Sequence, residues 1–347
     1  MAMAELRGIS GPSTIGLNAT TALHRLVRPV GARIVRSVLI IAAIAALNFV
    51  IVHLAPGDVA DVLAGESGAA SPDYIADLKV RFGLDQPLWV QFVDYMSRVA
   101  HLDLGYSFRF GRSVASLIWE RLPATLALTV PTLLLAFAAG SLLGIVAARR
   151  VGKLSDAAVS IASLVFYAMP IFWIGILMIV LFGVKLGWFP TGGMVTIGAG
   201  YTGVAHLADV AHHMVLPVVT LSMFHTAFYA RLMRASMLEM YGQDFVTTAR
   251  AKGLSERRVA YRHVLRNALL PVVTVFGLQI ANLLGGAVLV ETVFGWPGLG
   301  RLAFDSVLSR DLNLLLGILL LTSIVVVSAN ILVDIAYRWL DPRIGAA

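Results

Sequence analysis

The sequence predicts an all-α integral membrane protein of six transmembrane helices, with a helical loop domain on one face and a second folded loop on the other. Three observations carry this. Hydrophobic residues make up 58% of the 347 residues and charged residues only 14%, whereas soluble domains run nearer half and a quarter. The apolar residues gather into six runs of about the length a helix needs to cross hydrocarbon. Lys and Arg concentrate in alternate connecting segments, which is how topology is written in membrane chains.

The first run covers residues 37–55, roughly 28 Å as a helix. Five arginines precede it (Arg7, Arg25, Arg28, Arg33 and Arg36), and no small-x-small cleavage site follows Leu54. It therefore reads as a retained span rather than a secretory signal. Residues 1–32 form a Ser/Gly/Thr-rich leader expected to be disordered and cytoplasmic. Residues 33–344 form the transmembrane domain, with further spans at 125–148, 157–184, 213–233, 269–290 and 312–339. Pro131, Pro170, Pro217 and Pro271 lie in or beside these runs. Such prolines are tolerated where neighbouring helices satisfy the freed carbonyls, so they predict a packed bundle of bent helices.

Six spans place both termini on one side. Eighteen of the 27 Lys and Arg fall in the leader, the 149–153 turn, the 231–266 region and the C-terminal end. That excess puts both termini and the 240–268 loop in the cytoplasm of a bacterial inner membrane protein. Trp188, Phe189 and Trp339 suit interfacial anchoring. The outer segment 56–120 is too long for a turn. One helix pattern opens at Ser71–Pro72–Asp73 and carries Ile75, Leu78 and Phe82. A second runs from Pro87 through Val90, Val93 and Tyr95, and residues 114–121 read as an amphipathic elbow in the interface.

The chain has no cysteine, so disulfides and Cys-ligated metals are excluded. Its net charge of +7 sits mainly in loops flanking spans, and no base-stacking module of the kind that binds nucleic acid is visible. A Gly-x-Ser-x-Gly elbow, a His-Glu-x-x-His pair and a phosphate-binding loop are all absent, which argues against an enzyme and places any ATP hydrolysis on another chain. Ionisable groups inside the spans are few. Asp334 pairs with Arg338 at i,i+4, Glu291 is expected to be wet at the outer end of its span, and His225 is expected to be a hydrogen-bonded core histidine. Ser163, Tyr167, Ser222, Thr226, Gln279, Asn282 and Asn330 either line a polar path or hold helices together. Of these, Ser163, Tyr167, Ser222, Gln279 and Asn282 are the candidates for a translocation path.

The stretch YGQDFVTTARAKGLSERRVAYRHVLRNALLP between the fourth and fifth spans is polar, strongly basic and helix-like. It reads as two short helices broken at Gly253, with Ser255 as N-cap and Glu256 in the first turn of the second. Either it docks onto another protein or its charge only fixes topology.

These residues resemble the membrane subunit of binding-protein-dependent ABC importers of the dipeptide/oligopeptide permease type. That class carries a Glu-Ala-Ala…Gly loop, matched here by Thr247-Thr248-Ala249, Arg250-Ala251-Lys252, Gly253 and the closing Leu270-Pro271, without the Glu and first Ala. HLAPGD, RFGLDQPLWVQF, DLGYSFRFGR, ERLPATLAL, ETVFGWPGLGRL and LVDIAYRWLDPRI look like the same family in the same order, over about residues 33–344. The resemblance implies a type I ABC importer permease fold whose loop helices couple to ATPase subunits through Asp244, Ala249, Gly253, Arg257 and Arg258. It also implies a second homologous permease chain, two ATP-binding subunits that hold ATP and Mg, an extracytoplasmic solute-binding protein and membrane lipid as partners. No cofactor belongs to this chain itself. Import of dipeptides or oligopeptides is the implied function. The same architecture importing nickel, glutathione or another small solute stays open, as does a secondary carrier.

Overall fold

A computed structural model describes residues 19–54, 76, 79–80, 85–107 and 109–340; side chains at 19–34, 52, 280–286, 329–330 and 332–340 lie outside this description. Helix α1 (Ala19–Leu54) begins thirteen residues ahead of the point where the leader was expected to end, so its later part is helical. Residues 1–18 and most of the first outer helix pattern lie outside the described residues. So do the Asp334–Arg338 pair and the side chains of Asn330, Asn282 and Trp339.

Helix α2 (Leu88–Ala100) realises the second outer pattern and packs Phe92 and Tyr95 on Phe49 of α1. A two-residue hairpin follows, β1 (Tyr106–Ser107) paired antiparallel with β2 (Arg112–Ser113). Ser113 then caps α3 (Val114–Arg149), its hydroxyl accepting from Ser116 N. Residues 114–121 are not an interfacial elbow. Val114, Leu117 and Ile118 are buried as the first turns of one 36-residue helix, packed against Leu299, Leu302, Leu314 and Ile318.

Pro170 divides the next run. Met169, which precedes it, takes an extended ψ of 136°, as a residue before proline prefers. The span expected over 157–184 is therefore two pieces, α4 (Leu154–Ala168) and α5 (Ile171–Met178). The second continues in wider turns to Lys185, and the two are bent by 103°. Pro123, Pro131, Pro217 and Pro271 lie inside continuous helices instead.

Helix α6 (Gly203–Tyr241) is the spine. It crosses α3 with almost no gap: a Cβ added at Gly140 would stand 2.6 Å from Tyr229 Cβ, and one at Gly144 2.6 Å from Ala230 O. The Gly-x-x-x-Gly spacing puts both glycines on one helix face and lets the backbones touch. After α6 come α7 (Asp244–Ala251), α8 (Glu256–Arg258) with wider turns to Val264, and α9 (Leu265–Val293). Finally α10 (Leu299–Leu308) and α11 (Leu312–Leu340) close the chain. Helices α3 and α6 are each long and apolar enough to cross a membrane, and the α4–α5 pair supplies a third crossing if counted as one.

Candidate coupling loop and transport path

The break at Gly253 is a helix C-terminus of defined geometry. Gly253 N donates to Arg250 O at 2.9 Å and Leu254 N to Ala249 O at 3.3 Å. Those two bonds, with Gly253 at φ +75°, form a Schellman motif, whose C′ position needs the left-handed region that glycine enters without strain. Arg250 then reaches across the turn. Its Nε and Nη2 donate to the two Glu256 carboxylate oxygens at 2.8 and 3.2 Å. The hydrogen bonds from Arg250 hold the Glu256 carboxyl below its ordinary range. Ser255 has the backbone of an N-cap, but its side chain makes no capping bond.

The loop is docked, not free. Val246, Ala249, Val259 and Val264 are buried against Ile145 and Ala148 of α3 and Met233 and Met237 of α6. Arg149 at the end of α3 adds a hydrogen bond to the Tyr261 hydroxyl at 2.9 Å. Asp244, Gly253, Arg257 and Arg258 of the sequence candidates are exposed, whereas Ala249 is 5% exposed and faces the bundle. Ala249 therefore holds α7 in place and turns no side chain outward. Ser255, Arg257, Arg258, Tyr261 and Arg262 line a shallow open depression beside it.

Alongside the loop, Arg234 of α6 clamps Asp156 at the start of α4, through Nε at 2.6 Å and Nη2 at 3.0 Å. Asp156 also accepts from Gly152 N at 3.0 Å. The charge pattern gave Arg234 only a topological role, and nothing in a single sequence pairs it with a residue 78 positions earlier.

The path candidates are scattered over three helices. Ser163 is buried on α4, and Tyr167 one turn on is 40% exposed and stacks on Phe224 of α6 at 5.0 Å. Ser222 is buried with its hydroxyl donating to Val219 O at 2.9 Å. Gln279 is half-buried on α9, three residues before Asn282, whose side chain lies outside the described ones. His225 is 6% exposed, but among the described residues its Nδ1 has no hydrogen-bond partner, unlike the bonded histidine the sequence suggested.

Two family models match the chain. The binding-protein-dependent transport system inner membrane component covers residues 140–346, and the N-terminal part of such membrane components covers residues 26–129. The chain belongs to this family. Among its relatives, the di/tripeptide transport system permease protein DppB of Pseudomonas aeruginosa is 40% identical over 312 residues, 86% of this chain and 93% of that one. The oligopeptide transport system permease protein AppB of Bacillus subtilis is 38% identical over 90% of this chain and 97% of its own length. The dipeptide transport system permease protein DppB of Escherichia coli is 40% identical over 86% and 93%. An inward-facing structure of the MetNI methionine ABC transporter has a TM-score of 0.52 at 20% identity, covering 65% of this chain and 97% of that one. That likeness carries the fold. As a member of the family, the chain is a transport subunit of a binding-protein-dependent system and not a catalytic one.

The end of this permease away from the loop is closed over a carboxylate. Glu291 is fully buried, not wet. The segment after α9 folds back over it, with Arg301 N donating at 2.9 Å and Gly298 packed so closely on the carboxylate that no Cβ fits there, while Thr125 of α3 donates its hydroxyl at 2.7 Å. Trp296, also fully buried, donates Nε1 to Ala124 O at 2.8 Å. The buried carboxylate thus anchors the start of α10 through the Arg301 amide, and the Glu291 backbone carbonyl, accepting from Trp296 N at 2.8 Å, holds the Gly-Trp-Pro-Gly turn before it.

Proposed function

We propose that this chain is the translocating subunit of an ATP-driven importer of dipeptides and oligopeptides. It works with a second homologous permease, two ATP-binding subunits and a solute-binding protein outside the inner membrane. The observation that carries this is the Gly253 loop, which turns an apolar face to α3 and α6 and presents Asp244, Arg257 and Arg258 outward. A helix pair seated this way moves with the bundle as one body. An ATPase surface that closes on ATP can therefore pull on Arg257 and Arg258 and tilt α3 and α6 together. How far the permease shifts is bounded by the differential affinity of ATP for the closed state.

On this reading the chain crosses the membrane six times, with the loop and both termini cytoplasmic, supported by the Lys/Arg distribution. ATP and Mg bind to the partner subunits. Peptide as cargo is supported by the three relatives above, whose names carry dipeptide, di/tripeptide and oligopeptide transport. The test is uptake of radiolabelled dialanine into proteoliposomes holding the permease pair and ATPases, with binding protein outside and ATP within. Concentrative, ATP-dependent uptake is expected. Uptake that follows a proton gradient with ATP omitted contradicts the reading.

A further inference from the structure

Arg231 and Arg234 lie one turn apart on α6, yet they are held in opposite ways. Arg234 grips Asp156 at the loop end of α4. The Arg231 guanidinium instead lies over the Tyr167 ring, 4.5 Å from its centre. Tyr167 is eleven residues beyond Asp156 along α4, roughly 16 Å deeper from the loop end. The reach is natural, because side chains on a helix lean toward its N-terminus, and the N-terminus of α6 is the end away from the loop. Arg231 therefore carries its charge toward the middle of the bundle, the reverse of an arginine snorkelling to the interface.

Nothing among the described residues neutralises it. No carboxylate there forms an ion pair with Arg231, and its side chain stays exposed. An unneutralised cation at such depth belongs on a wet cavity or protein surface, not against lipid. Its setting suits an anion. Phe224 stacks on Tyr167 at an interplanar angle of 14°, so the ring is fixed and the guanidinium is fixed upon it. Seated over a ring and not ion-paired among the described residues, the guanidinium has N–H groups to offer in a two-pronged grip on a carboxylate.

We propose that Arg231, backed by Tyr167, is a carboxylate-receiving site on the transport path, taking the C-terminal carboxylate of peptide cargo as it moves toward the loop side. This rests on the peptide reading above.

The chain has no cysteine, so Arg231→Cys in the complete transporter gives a single addressable thiol in this subunit. Dialanine uptake per ATP hydrolysed should fall roughly tenfold, the effect of losing hydrogen bonds to a charged group. A cationic methanethiosulfonate reagent should restore it, an anionic one should not, and dialanine should slow the modification. Uptake unchanged in Arg231→Cys, or equal responses to the two reagents, overturns the inference alone. Wild-type vesicles that hydrolyse ATP on addition of binding protein yet take up no dialanine overturn the peptide reading and this inference with it. Should Arg231→Cys fail to assemble, Arg231→Lys is expected to keep most uptake and Arg231→Gln to lose it. Equal loss in both overturns the inference.

Discussion

Arg250 and Glu256 face one another across Gly253, joined by hydrogen bonds of 2.8 and 3.2 Å, and so bridge the two helices of the loop. Both side chains are exposed, so the bridge contributes little to overall stability. Its effect is on geometry, fixing the angle between α7 and α8. Arg250→Glu should raise ATP hydrolysis per peptide imported by loosening the turn, and the exchange Arg250→Glu with Glu256→Arg should restore much of the coupling. The sign with pH follows from the lowered carboxyl of Glu256. A depressed native value means that the contribution is complete above the ordinary glutamate range and is lost as pH falls through the lowered value. Coupling ratios at neutral and mildly alkaline pH should therefore agree.

Gly253 sits at φ +75° with open space where a Cβ would stand. The cost of a side chain there is conformational, about 1–2 kcal/mol for Ala and less for Asn, which tolerates this region. Gly253→Pro should do worse, since proline cannot adopt the angle and removes the N–H that bonds Arg250 O. Amide exchange over residues 244–256 should quicken in the order Asn, Ala, Pro, with the protein still inserted and uptake uncoupled in the Pro variant.

Gly140 and Gly144 set the contact between α3 and α6. Leucine at either position must force the helices apart against Tyr229 or the Ala230 carbonyl. Overpacking of this kind costs about 1–3 kcal/mol. Thermal unfolding in detergent should shift down for Gly140→Leu and Gly144→Leu, and far less for Gly242→Ala, where the backbone is at φ −80° and an added Cβ would meet only Glu239 O at an ordinary 3.5 Å.

Removing the Glu291 carboxylate by Glu291→Ala leaves the Thr125 hydroxyl and the Arg301 amide unpaired in a buried place, a loss of about 1–3 kcal/mol. Glu291→Gln keeps the shape and one acceptor, so its melting temperature should lie between wild type and Ala. Trp296→Ala should be the more severe, about 3–5 kcal/mol for a buried aromatic.

The loop was legible because local chemistry writes it. One glycine between two polar helix patterns marks a C-cap, and Glu256 six residues from Arg250 is a neighbour in sequence. Even so, the inward turn of Ala249 could not be read, since it depends on where α3 and α6 end. The helices were legible from their apolar runs, but Pro170 gave no sign of a 103° bend while four other prolines are absorbed in continuous helices. Glu291 looked wet because it closes an apolar run and a glycine-rich segment follows. Only the fold-back that brings Gly298 and Arg301 onto it reverses that. Arg231 and Arg234 looked alike as flanking charges; the partners that separate their roles, Tyr167 and Asp156, are on α4.

The central claim is that an ATP-hydrolysing partner grips the exposed side of the Gly253 loop. Arg258→Cys in this cysteine-free chain, treated with a short bifunctional thiol reagent in the assembled transporter, tests it most directly. The account predicts a cross-link to an ATPase subunit whose yield changes when ATP is added. No cross-link from position 258, with efficient cross-linking of the same subunit from a cysteine placed at Phe304 on α10, would contradict it.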